Sequence, residues 1–172
     1  MHKRIAFLLA VFALVLMFAA PAALAQGGPF GMFKGSVWVA PMGSDSIDVE
    51  HLVFNAREGR GNQSANGHFF AKSSDSATFD HRVNLDDVRT TGVTPTGFPL
   101  GVPTGFGVCA FASGHYSGPI EGANFLCMLV CQETPFGADL ILLVPSGDRD
   151  DSGTIIGMYF FIVERGSFTI HH

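Results

Sequence analysis

The sequence predicts an all-β fold, an antiparallel barrel or sandwich of about eight to ten short strands. Three observations carry this. Apolar residues recur at every second position in many short windows. Gly and Pro, 21 and 9 of 172 residues, interrupt the chain so often that few windows can hold a helix of ~10 residues. Charged side chains make up 15% and Phe is present 17 times, which excludes charge-rich disorder and the A/E/K/L/R-rich coiled coils.

The first 25 residues have three parts. Lys3 and Arg4 form a positive start, 5–20 is uncharged and apolar, and Ala23-Leu24-Ala25 ends the segment with small residues. That is the layout of a secretory signal peptide cut after Ala25. A single membrane anchor is the alternative, although a spanning helix wants ~20 apolar residues. The expectation is a cleaved signal peptide over 1–25 and a single all-β domain over 26–172, secreted or periplasmic. No second long apolar run exists, so no membrane segment is expected after cleavage. Beyond position 25, 15 acidic side chains face 8 basic ones, a balance that repels nucleic acid and anionic lipid and disfavours both as partners.

Candidate strands follow at 32–40, 46–57, 67–72, 77–90, 106–112, 123–133, 138–144, 154–164 and 167–171. The clearest is 79–86, with Phe79, His81, Val83 and Leu85 on one face and Asp80, Arg82, Asn84 and Asp86 on the other. Segment 46–57 begins alike, with Ile47, Val49, His51 and Val53 opposite Asp48 and Glu50. Leu52 and Phe54 then break the alternation, which predicts a bulge or a doubly buried end. The window 92–105 holds three prolines and four glycines and reads as a long loop. Segment 155–163 is apolar on both faces and predicts cover on both sides.

Gly59-Arg60-Gly61, then Gly67-His68-Phe69-Phe70 and an alternating strand, resembles a set of small exported all-β proteins. In these a G-x-G turn leads into a G-H-F-x-F strand. The acidic turn Gly137-Ala138-Asp139 before Leu140-Ile141-Leu142 and the Gly166-Ser167-Phe168-Thr169-Ile170 ending are similar too. The likeness covers roughly residues 50–172, and the chain departs from it in its Pro-rich loop and cysteine placement. It implies a fold and an address, and no catalytic residue is carried over.

Cys109, Cys127 and Cys131 belong to a chain bound for an oxidising compartment. Cys127 and Cys131 on one strand lie ~13 Å apart at ~3.3 Å per residue, too far to bond. A hairpin about a turn at 113–122 brings together residues whose numbers sum to about 236, so Cys109 is expected to bridge Cys127. A Cys109–Cys131 bridge and three free thiols are the alternatives.

His51 and His81 both fall on apolar strand faces, where an imidazole must be hydrogen-bonded. Two satisfied core histidines is the plainer reading. A metal or ligand site inside a barrel, with His68 or His115 as third ligand, is the sharper one, and no H-x-H, H-E-x-x-H or C-x-x-C spacing supports it. Asp148, Asp150 and Asp151 faintly resemble a calcium loop, but Arg149 lies among them and no Glu follows at EF-hand spacing. Asn62-Gln63-Ser64 is a glycosylation sequon that matters only in a eukaryotic host. No nucleophile elbow, phosphate loop or cofactor motif is present, so no catalytic or cofactor-binding residue is assigned.

The leading expectation is a secreted non-catalytic binding or surface-interaction module whose partner is a protein, a glycan or a small apolar ligand. A barrel carrying a small apolar molecule in a Phe-rich lumen is the alternative. It would require a closed cavity of ~300 Å³ or more. A hydrolase or isomerase built around His51 and His81 comes third.

Overall fold

The computed structural model describes residues 31–43, 47–59, 64–73, 81–94, 99–100, 108–134, 137–147 and 154–172. The leader 1–25, Asn62 and the acidic turn at 148–151 lie outside the described residues. Ten strands are formed: β1 (Met32–Pro41), β2 (His51–Arg57), β3 (Asn66–Lys72), β4 (His81–Arg89), β5 (Gly92–Val93), β6 (Pro99–Leu100), β7 (Cys109–Ser117), β8 (Phe125–Cys131), β9 (Leu140–Ser146) and β10 (Tyr159–His171). Eight of them close into a barrel in chain order, each antiparallel to the next, with β10 returning to β1. β5 and β6 pair with each other outside it. The architecture is therefore a barrel and not a sandwich. Closure pairs β1 and β10 with each other, so neither is left as a sheet edge.

The pleat sets which side chains enter the lumen. Phe33, Val37, Leu52, Phe54, Phe69, Val83, Met128, Ile141 and Phe161 point inward, and Ala56, Ala71, Ala110 and Ala112 leave room for the rings. An eight-stranded barrel encloses a space just wide enough for side chains to fill. Phe33, Leu52, Phe69, Ala110, Ile141 and Phe161 have no accessible surface at all, so not even a water fits beside them.

Two bulges reset the alternation. In β4 the pairing with β7 shifts between Leu85 and Asp87, which returns Val88 to the interior after Leu85. In β10 the shift falls at Glu164, opposite Trp38 and Val39. Segments 154–164 and 167–171, expected as two strands, are thereby one strand from Tyr159 that bends instead of breaking. The two-sided cover expected for 155–163 is also absent over part of it, for Ile155 and Met158 are exposed. The Pro-rich loop, expected to be irregular, contains the short β5–β6 pair.

The β7–β8 hairpin corrects the expected disulfide. The ladder runs from His115↔Phe125 to Cys109↔Cys131, so facing residues sum to 240. β7 continues to Ser117, and the chain reverses in a turn where Ala123 N–H donates to Ile120 O (3.1 Å). Gly122 supplies the positive φ, 77°, as the third residue of a type II turn does. The turn centre thus lies later than 113–122 implies, and Cys109 meets Cys131 instead of Cys127. Gln132 N–H donates to Val108 O (2.8 Å) across the pair, the pattern of a non-hydrogen-bonded pair, where backbones come closest. The two Cα atoms are 4.1 Å apart and the sulfurs are bonded.

This bridge sits on the outside of the wall, in a second small core with Leu100 and Phe111. A disulfide so built belongs to a protein folded in an oxidising compartment. Among the described residues, no helix is long and apolar enough to cross a membrane.

Candidate functional site

The two histidines singled out from sequence part company in the fold. His81 points inward as expected and is 4% exposed. Its Nδ1 lies 2.8 Å from the Tyr116 hydroxyl, which also accepts from the Ile120 N–H at 3.2 Å. The Tyr116 hydroxyl thus joins the His81 ring to the Ile120 backbone, with both polar groups of the pair hydrogen-bonded inside the wall. This is a satisfied core histidine that pins the β7–β8 turn to β4.

His51 does not point inward, and this corrects the expectation for its strand. Val49 is buried, but so are Leu52, Phe54 and Ala56. Val49 and Leu52 are three residues apart, so the alternation switches between them and His51 and Val53 fall on the outer face. The break at Leu52 and Phe54 was thus the sign of a switched face. His51 and His81 stand on opposite sides of the wall and cannot share a metal. Among the described residues, no three His, Cys, Asp or Glu side chains converge for an ion.

On the outer face His51 stacks on Trp38, ring centres 4.5 Å apart, and its Nε2 is 2.9 Å from Ser36 Oγ. Arg165 lies over the same indole, 5.3 Å from its centre, as a cation–π contact. The strand order β10–β1–β2–β3 makes this a ladder, Arg165–Trp38–His51–Lys72. Partial burial and then the Lys72 charge push the His51 pKa below its ordinary value, with Glu50 opposing.

Two and four residues along, the same strands align Ser167–Ser36–Val53–Phe70 and Thr169–Lys34–Asn55–His68. A cleft of about 510 Å³ opens here, lined by Lys34, Val53, Asn55, His68, Ser167 and Thr169, with the backbone of Gly35 beneath it. Gly35 lets the wall close tightly under the cleft. A Cβ there would sit 2.3 Å from the Phe168 Cβ and 3.0 Å from the Phe54 ring. The outward positions of β10, β1, β2 and β3 that face one another in the ladder carry Arg165, Lys34, Arg57 and Lys72. Glu164, at the β10 bulge, is the one acidic residue within these strands.

A second cleft of about 380 Å³ is different in charge. It is lined by Glu58, Asp86, Asp87, Arg89 and Thr91. Arg89 makes a two-pronged pair with Asp87, at 3.2 and 3.0 Å. Glu58 Oε1 accepts from the Thr90 N–H and from its hydroxyl, which ties the β1–β2 end to the end of β4. His115, exposed, has its Nε2 3.8 Å from Asp86 Oδ2. These groups are engaged with one another and hold the barrel rim.

Cys127 is the free cysteine. It lies on the outer face opposite Ser113, and burial, then the Asp87 charge, raises its thiol to about 11. That is the setting of an inert thiol and not of a nucleophile.

The outer cleft was missed from sequence. His68, Ser167 and Thr169 stand in the sequence as parts of separate strand motifs, and nothing local joins them to Lys34 and Asn55, because their common signal is the cross-strand register. Comparison with known protein families, with curated proteins and with solved structures finds no match for this chain.

Proposed function

We propose that this chain is an exported, non-catalytic binding module that engages its partner through the outer wall of the barrel. One contrast carries the reading: the lumen is filled by side chains, while Lys34, Asn55, His68, Ser167 and Thr169 rim an outer cleft of about 510 Å³. Export through a cleaved leader to a secreted or periplasmic location is supported by the layout of residues 1–25 and by the Cys109–Cys131 bridge. Against the carrier reading stands the packing of the described lumen residues, whose buried rings and aliphatic side chains fill the interior.

Two measurements test the proposal on the mature chain. Titration with a fluorescent fatty acid should show no saturable one-to-one uptake. A glycan array probed with labelled protein should show retention that falls when Ser167→Trp fills the cleft. One-to-one uptake of the fatty acid, or array retention indifferent to Ser167→Trp, overturns the outer-wall reading.

A further inference from the structure

The wall around the cleft also carries a charge that the composition conceals. The chain beyond position 25 is acidic, 15 carboxylates against 8 Lys and Arg. Yet four of those eight cations, Lys34, Arg57, Lys72 and Arg165, project outward from β10–β1–β2–β3, and Arg82 stands at the margin on β4. Among the described residues, Lys34, Lys72, Arg82 and Arg165 enter no ion pair. His51 and His68 lie between them. Glu50 and Glu164 stand at the Trp38 end of the face, beside Lys72 and Arg165, while the cleft row Thr169–Lys34–Asn55–His68 carries no carboxylate. We infer that this wall binds an anionic polysaccharide, a chain bearing sulfate or uronate groups, seated in the Lys34–Asn55–His68–Ser167–Thr169 cleft. The inference rests on the outer-wall reading above and adds the chemistry of the partner.

Net charge does not oppose this. Salt screens charges beyond ~8 Å at physiological ionic strength, so a bound chain responds to the cations under it and not to the acidic rim. The acidic cleft of Glu58, Asp86 and Asp87 lies at one end of the barrel, with Arg89 already paired to Asp87. Sugar recognition fits the rest of the lining. Asn55, Ser167 and Thr169 offer both donors and acceptors to hydroxyl groups, while Lys34 meets the anion as a charge-assisted donor.

A nucleic acid would want aromatic faces on which bases stack. Here the Trp38 indole stands between Arg165 and His51, and the Phe70 ring lies 5.1 Å from His68. A membrane surface would want well-exposed apolar side chains beside the cations; Trp38, Val53 and Phe70 on this face are half-buried, and the exposed Ile155, Ile156 and Met158 are on the β9–β10 connection.

The test is binding of the mature protein to heparin, polygalacturonate, dextran, duplex DNA and phosphatidylglycerol vesicles at several salt concentrations. Heparin or polygalacturonate should bind saturably and more weakly as salt rises. Lys34→Gln should weaken binding about tenfold or more, and Ser167→Trp should abolish it. Thr154→Glu makes the same change in net charge at an exposed site on the β9–β10 connection, and should leave binding intact. Urea melts of the three variants establish that each is folded. If Thr154→Glu costs as much as Lys34→Gln, the attraction is diffuse and the inference fails. Tighter binding to DNA or to the vesicles, with the same dependence on Lys34, overturns it in favour of those partners. Dextran binding that needs Ser167 but not Lys34 overturns the anionic partner and leaves the outer-wall module standing. Absence of saturable binding to heparin and polygalacturonate overturns the anionic partner and leaves the outer-wall reading to its own test.

Discussion

Removing the Cys109–Cys131 bridge should bring the fold close to its limit of stability. The two residues are 22 apart in sequence. For a loop of that length the chain-entropy model gives about 11 cal/mol/K, or about 3.4 kcal/mol at 25 °C. Domains of this kind have a total stability of roughly 5–15 kcal/mol, so the loss is a large share. Both cysteines are 1% exposed and pack with Leu100 and Phe111, so Ala is the better replacement, since a serine hydroxyl would be buried there. Urea unfolding at pH 7.5 should compare wild type, Cys127→Ala and the Cys109→Ala/Cys131→Ala double variant. With a urea slope of roughly 1–3 kcal/mol/M, the double variant should lose about 1–3 M in midpoint. Cys127→Ala keeps the bridge and should cost no more than the truncation of one half-buried thiol, about 1 kcal/mol. A double variant within about 1 kcal/mol of wild type would refute the reasoning. So would a non-reducing peptide map that recovers Cys109 joined to Cys127, because the β7–β8 register would then be wrong.

Three other outcomes follow from particular contacts. Gly35→Ala should destabilise by about 1–3 kcal/mol in the same urea assay, since its Cβ would meet Phe168 Cβ at 2.3 Å and the wall must shift; a neutral or stabilising effect would mean that β1 and β10 are less closely apposed. His51 should titrate by NMR below the ~6.5 of a free histidine, and Lys72→Gln should move it upward. Because its folded value is lowered, its contribution to stability is complete above ~6.5 and is lost as the pH falls from there through the folded value; a His51 value above 6.5 contradicts this. Cys127, raised to about 11, should be alkylated by iodoacetamide at pH 8 about a hundredfold more slowly than an ordinary thiol near ~8.5; a rate equal to that of the urea-unfolded chain shows the site to be open.

Local chemistry settled the elements of this protein. Period-two alternation and frequent Gly and Pro identified strands in order, and in β4 they placed His81, Val83 and Leu85 inward without error, because one face of that strand is wet and polar. Where both faces of a strand are partly apolar, the period carries no sign of which is inside. His51 and Val53 read as the core face of β2, and only the packing of Leu52, Phe54 and Ala56 against the lumen put them outside. A bulge of one residue, as at Asp86 or Glu164, reverses every later position and leaves no mark in composition. The disulfide turned on where Gly122 allowed the chain to reverse, two residues beyond the expected centre. The outer cleft depends on closure, since Ser167 and Thr169 reach Ser36 and Lys34 only when the last strand pairs with the first. Pairing between the ends of a chain is a long-range contact, selected by the fit of the whole interior, and no window of sequence contains it.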